Sequence, residues 1–88
     1  MTTEAEFEHV HVQRITALLD VGRNKEAVRE AVKALAANPE SFTLQHILAL
    51  GFLRSGEIAE ADKANSHALQ IEPNNPDAFW LRSFILHE

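Results

Sequence analysis

Two stretches of the chain decide the fold: GRNKEAVREAVKALAANP at residues 22–39 and GEIAEADKANSHALQIEP at residues 56–73. Both begin with glycine, continue through alanine-rich segments of helix-forming residues and reach a proline at the same position. Seven residue pairs are identical at a spacing of 34: Leu19/Leu53, Gly22/Gly56, Glu26/Glu60, Ala27/Ala61, Ala34/Ala68, Leu35/Leu69 and Pro39/Pro73. A fixed period of this length indicates a repeated unit of supersecondary structure.

The period and the repeated residues together resemble the tetratricopeptide repeat family, whose unit is 34 residues folded as two antiparallel helices. The two quoted stretches match the second helix of that unit and the proline after it. The resemblance covers roughly residues 8 to 88 and implies an all-α fold, a solenoid of antiparallel helical hairpins. We expect one domain over 1–88, with repeats at about 8–41 and 42–75 and one further helix at 76–88.

The positions of apolar and breaking residues predict five helices, at 4–20, 25–37, 42–54, 58–71 and 77–87. Gly22 and Gly56 should end the first and third helices, because glycine takes the left-handed conformation at little cost. Ser41 is the expected N-cap of the third helix, and Asn75 stands in the equivalent place 34 residues later. Pro76 suits the first position of the fifth helix.

Composition excludes several classes of protein. The chain has 88 residues, of which 45% are hydrophobic and 24% charged, as in ordinary globular domains. The absence of cysteine excludes disulfides and thiol chemistry. The sequence has no apolar run of membrane-spanning length and an acidic start, so we expect a cytoplasmic protein without a membrane span or signal peptide. The net charge of −5, with basic residues dispersed among acids, argues against nucleic acid as a partner.

The resemblance also implies a peptide-binding groove, because in this family the first helix of each hairpin lines a concave surface. Carried over to this chain, the lining comprises His9, Val12, Thr16 and Asp20, then Thr43, His46, Ile47, Leu50 and Arg54, and finally Trp80 and Phe84. Trp80 and Phe84 are the expected hot spots, because buried aromatic residues often dominate binding energy. Chaperone-binding members grip a peptide's terminal carboxylate with several basic and amide side chains. Only Arg54 is of that kind here, so this activity is not expected.

The last predicted helix, AFWLRSFILHE, carries more apolar residues than one neighbouring helix buries. Two interpretations remain open. The chain is a piece of a longer repeat protein that stops where the next helix would begin, or the surplus face is an interface with a second copy or a partner. We expect a homodimer with Phe79, Ile85 and Leu86 at its interface.

Five histidines prompt a metal hypothesis: His9, His11, His46, His67 and His87. Glu6 with His9 and Glu8 with His11 have the three-residue spacing that lets two side chains share a metal, and Glu4 is the obvious third ligand. Two ligands do not make a site, and carboxylates at a helix start also complement the helix dipole. No metal site and no cofactor are therefore predicted.

Nothing else in the sequence resembles a catalytic constellation. The serines have no recognisable base and orienting group, and the three glycines are too far apart for a phosphate-binding loop. Gly51 is instead expected to let two helices approach closely. The sequence is interpreted as a non-enzymatic interaction or assembly module, a bacterial adaptor or scaffold that binds an apolar peptide or helix. The alternatives are a chaperone that shields an apolar helix of a secreted partner, and a metal-dependent enzyme that uses the histidines.

Overall fold

The computed structural model describes residues 3–86, apart from the side chains of residues 4 and 5. Within this range the fold is all-α, with helices α1 at Glu4–Asp20, α2 at Asn24–Ala37, α3 at Phe42–Arg54, α4 at Ile58–Ile71 and α5 at Pro76–Leu86. The predicted bounds agree with these to within one residue, except that the predicted end of the fifth helix at His87 lies outside the described residues. None of the helices in the described part of the chain is both long and apolar enough to cross a membrane.

Glycine turns connect α1 to α2 and α3 to α4 in the same way. Gly22 and Gly56 both have φ of +80°, the left-handed region that glycine enters without a steric penalty. The Gly22 N–H donates to the Leu19 carbonyl at 3.0 Å, and the next N–H donates to the Leu18 carbonyl at 2.9 Å. The equivalent bonds after α3 measure 3.1 and 2.9 Å. This pair of bonds is the Schellman motif, so the 34-residue period of the sequence is also a period of the backbone.

The starts of α3 and α5 are capped as predicted. The Ser41 hydroxyl accepts a hydrogen bond from the Leu44 N–H at 3.1 Å. The Asn75 side-chain oxygen accepts one from the Asp77 N–H at 2.9 Å. Pro76 is the first residue of α5, where its missing N–H costs nothing.

The helices form two rows. Each helix packs against the next one in the chain, and α3 also contacts α1 and α5. Helices α1, α3 and α5 therefore lie side by side, with α2 and α4 packed on the other side of this row. Within the described residues α1 does not reach α5. As a result, α3 is the central helix and touches all four of the others.

Small residues line the inner faces of α2 and α4. Six alanines are at most 4% exposed: Ala27, Ala31, Ala34, Ala61, Ala64 and Ala68. Gly51 of α3 has the same role from the opposite side, because a Cβ added there would lie 2.9 Å from Cγ2 of Val28. The helices therefore approach closely, and large side chains such as Ile15, Leu44 and Leu81 fill the remaining space.

One polar side chain, Asn65 of α4, is buried beside these alanines. Its side-chain N–H donates to the Ala78 carbonyl of α5 at 3.1 Å. Its side-chain oxygen has no partner among the described residues. This one hydrogen bond connects α4 to the start of α5. The equivalent position in the first repeat, 34 residues earlier on helix α2, is Ala31.

Candidate functional site

Helix α5 exposes a cluster of aromatic residues. Trp80 is 55% and Phe84 49% exposed, and their rings meet edge to face with centroids 4.7 Å apart. The same helix buries Ala78, Leu81 and Ile85 on its other side. Two exposed aromatic side chains in edge-to-face contact form an apolar surface, which is a common feature of binding sites.

Helix α3 lies beside α5 and carries the next predicted groove residues. Ile47 is buried, and Leu50 is half-buried against the hydrophobic core. His46 is half-buried, and its ring lies parallel to that of Phe42 with centroids 5.8 Å apart. Because α3 and α5 are in contact, these residues and the exposed aromatic pair belong to neighbouring helices of one row.

Helix α1 contributes the polar end of the row. Val12 is half-buried and packs against the core, whereas Thr16 is exposed. The predicted groove residues are thus distributed along α1, α3 and α5 in that order. Those of α3 and α5 lie on helices in contact, and those of α1 are separated from α5 by the width of α3.

The environment of His46 affects its charge. Burial lowers its pKa below the ordinary value of 6.5, and the negative charge of Asp77 on α5 opposes this effect. The imidazole is therefore neutral near pH 7, which suits an apolar surface.

Arg54, the basic residue of the predicted groove, holds the helix ends together. Its guanidinium donates to the Leu19 carbonyl at 3.3 Å, and its own carbonyl accepts from the Asn24 side chain at 3.4 Å. These two bonds connect the ends of α1 and α3 with the start of α2. This arrangement could not be predicted from the sequence, since the three residues share no periodic spacing.

The residues predicted for an oligomer interface do not all face outward. Phe79 is 49% and Leu86 70% exposed. Ile85 lies on the inward side of α5 and is only 7% exposed, because it packs into the core of its own chain. An outer surface on α5 is therefore formed by Phe79 and Leu86 without Ile85.

Side chains near the start of α1 make contacts within the chain. The Glu8 carboxylate accepts a hydrogen bond from the Ser41 hydroxyl at 2.8 Å and one from the Asn38 side chain at 3.4 Å. His11 packs on Phe7 with ring centroids 4.3 Å apart. Among the described side chains, no three His, Asp or Glu groups are close enough to share a metal ion. The Glu4 side chain and His87 lie outside the described residues.

A polar cleft of about 490 Å³ lies at the turn between α1 and α2. Its lining is largely charged and polar: Gly22, Arg23, Asn24, Lys25, Glu26, Arg29 and Ser55. Arg23 and Glu26 form an ion pair of 2.6 Å across it. None of the predicted groove residues lines this cleft, so it is a feature separate from the aromatic surface.

No protein-family model, curated protein or solved structure significantly matches this chain.

Proposed function

We propose that the chain is a tetratricopeptide-like interaction module, an adaptor or scaffold without chemistry of its own. It binds an apolar peptide or helix of a partner protein along α1, α3 and α5. The observation that supports this best is the Trp80–Phe84 pair, in which each ring is about half exposed on α5. The periodic sequence and the repeated turns support the solenoid arrangement that such a groove requires.

The binding energy would come mainly from α5. An aromatic side chain buries about 150–250 Å² in total, so Trp80 and Phe84 together still hold roughly 150–250 Å² of exposed surface. Covering that surface is worth about 4–6 kcal/mol at 25 cal/mol per Å² before the cost of association. Leu50 and the neutral His46 continue the surface on α3, while the exposed Thr16 of α1 offers a polar contact at the far end.

The charge distribution favours an apolar segment over an acidic terminus. Arg54 already donates to the Leu19 carbonyl. A peptide carboxylate would also meet a chain whose net charge is −5. We therefore expect the groove to bind the middle of a peptide, with no preference for a free C-terminus.

Titration with amphipathic helical peptides tests this function. Trp80 is the chain's single tryptophan, so its emission should shift to shorter wavelength when a peptide covers it. Calorimetry should show at least a tenfold loss of affinity for Trp80→Ala, since such hot spots contribute about 2 kcal/mol or more. Phe79→Ala is the matched control, because Phe79 is equally exposed on the same helix but lies outside the predicted groove.

Two results would contradict the proposal. Equal losses for Trp80→Ala and Phe79→Ala would mean that the peptide does not use the groove. A clear preference for peptides with a free terminal carboxylate over amidated ones would mean that basic residues outside the predicted lining grip the peptide.

A further inference from the structure

The outer side of α5 corresponds to a surface that α3 uses for packing. In α3, Gln45, Leu48 and Phe52 line a cleft together with residues of α4, and Ala49 between them is fully buried. The residues 34 positions later are Phe79, Arg82, Ser83 and Leu86, and all four are exposed. Helix α5 thus carries an exposed face at the positions that in α3 lie beside α4.

This outer face of α5 has a symmetric distribution of side-chain size. Ser83 is at its centre, Phe79 is one turn before it and Leu86 is one turn after it. When such a helix packs antiparallel against an identical one, the two serines meet at the centre and each Phe79 lies against the Leu86 of the other copy. A two-fold interface requires this kind of self-complementarity, in which residue i contacts j and j contacts i.

We propose that the outer face of α5 binds a second copy of the chain, with the two α5 helices antiparallel and Ser83 at the two-fold axis. Phe79, Ser83 and Leu86 form the contact stripe at positions i, i+4 and i+7 of the helix. Trp80 and Phe84 lie on the adjacent stripe, so dimer formation leaves the proposed groove open. Ile85 takes no part because its own chain buries it.

The available area sets the strength of the dimer. Phe79 is 49% and Leu86 70% exposed, and Arg82 and Ser83 add the helix surface between them. Each copy then contributes on the order of 400–500 Å², and the pair buries roughly 800–1,000 Å², which is the range of weak, reversible complexes. The dimer should therefore form at micromolar concentrations and dissociate on dilution.

Sedimentation equilibrium of the full chain is the first test. The unmodified protein should approach twice its monomer mass of 9.8 kDa as concentration rises through the micromolar range. The variant with Phe79→Glu and Leu86→Glu should stay monomeric while circular dichroism shows the same helix content. A chain that remains monomeric at high micromolar concentration would overturn the proposal, as would a dimer that the double variant leaves intact.

Cysteine crosslinking tests the register independently. The chain contains no cysteine, so Ser83→Cys introduces a single thiol. Helices whose axes are about 8–10 Å apart place facing Cα atoms within the roughly 4.4–6.8 Å that a disulfide spans. Mild oxidation should therefore give a covalent dimer of Ser83→Cys much faster than of Ser66→Cys, an exposed site on α4. Equal rates would exclude the antiparallel contact at Ser83.

The two proposals fail in different ways. Loss of the dimer in the Phe79→Glu, Leu86→Glu variant should leave peptide binding within a factor of two of the original, because Trp80 and Phe84 are unchanged. An unmodified chain that dimerises but binds no peptide would contradict the groove, and an unmodified chain that binds peptide but stays monomeric would contradict the dimer.

Discussion

At the scale of single residues, Gly51 shows how closely α3 approaches its neighbours. Alanine is a better helix former than glycine by about 1 kcal/mol. A Cβ at this position, however, would lie 2.9 Å from Cγ2 of Val28, and a β-branched side chain cannot turn aside easily. We expect Gly51→Ala to lower the free energy of unfolding by about 1–2 kcal/mol in urea denaturation, because the clash outweighs the gain in propensity.

Val28 provides the control for this substitution. In a Val28→Ala background the clash disappears, and Gly51→Ala should become neutral or stabilising. If Gly51→Ala lowers the free energy of unfolding equally in the unmodified chain and in the Val28→Ala variant, a contact other than Val28 excludes the alanine methyl group.

His46 predicts how stability depends on pH. Its pKa is lowered in the folded chain by burial. Between this lowered pKa and the ordinary value of 6.5, the unfolded chain binds more protons, so stability falls as the pH drops below 6.5. Once the pH is below the folded-state pKa, His46 causes no further loss.

Melting temperatures of the unmodified chain and of His46→Gln, compared near neutral pH and in mild acid, measure this contribution. The His46→Gln variant should lose less stability on acidification. His67→Gln is the control, since His67 is exposed on α4. If acid lowers the melting temperatures of both variants as much as that of the unmodified chain, His46 is not the source of the pH dependence.

At the scale of helices, the alanines of α2 and α4 set the distance between helices. Ala61 is fully buried, whereas Lys63 on the same helix is exposed. Ala61→Leu should cost about 1–3 kcal/mol, because the added atoms overfill a close helix crossing. Lys63→Leu should change the melting temperature little. The proposed hairpin register is wrong if Ala61→Leu keeps its melting temperature while Lys63→Leu loses it.

The helix bounds could be predicted because local chemistry determines them. Gly22, Gly56, Ser41 and Pro76 each act within a few residues, and each is found in its expected role. The exposure of about half of each ring in the aromatic pair on α5 also agrees with the surplus of apolar residues in this helix.

Contacts between residues that are distant in sequence could not be predicted in this way, because no local sequence pattern marks them. The Glu8–Ser41 hydrogen bond joins residues 33 apart, and the Asn65–Ala78 bond joins α4 to α5. Neither pair belongs to a periodic pattern, because the two repeats differ at these positions. The inward orientation of Ile85 was missed for a related reason: a helix that is apolar on most sides does not reveal from its sequence which side is buried.

At the scale of the whole molecule, the position of α3 predicts a gradient of stability. Within the described range, helix α3 contacts all the other helices, whereas α1 and α5 each contact only two. In hydrogen exchange, amides of α3 should exchange slowest, through global unfolding, and those of α5 should exchange faster through local opening. Peptide binding should slow exchange in α5 most. Uniform protection across all five helices would contradict this gradient.

The same contact pattern has a kinetic consequence. Among the described residues, helices touch only their nearest and next-nearest neighbours along the chain, so none of these contacts joins the first helix to the last. Helical proteins with such local contacts fold within microseconds to milliseconds. The chain should therefore complete its fold before it meets a partner by diffusion, and the aromatic surface of α5 is presented already formed.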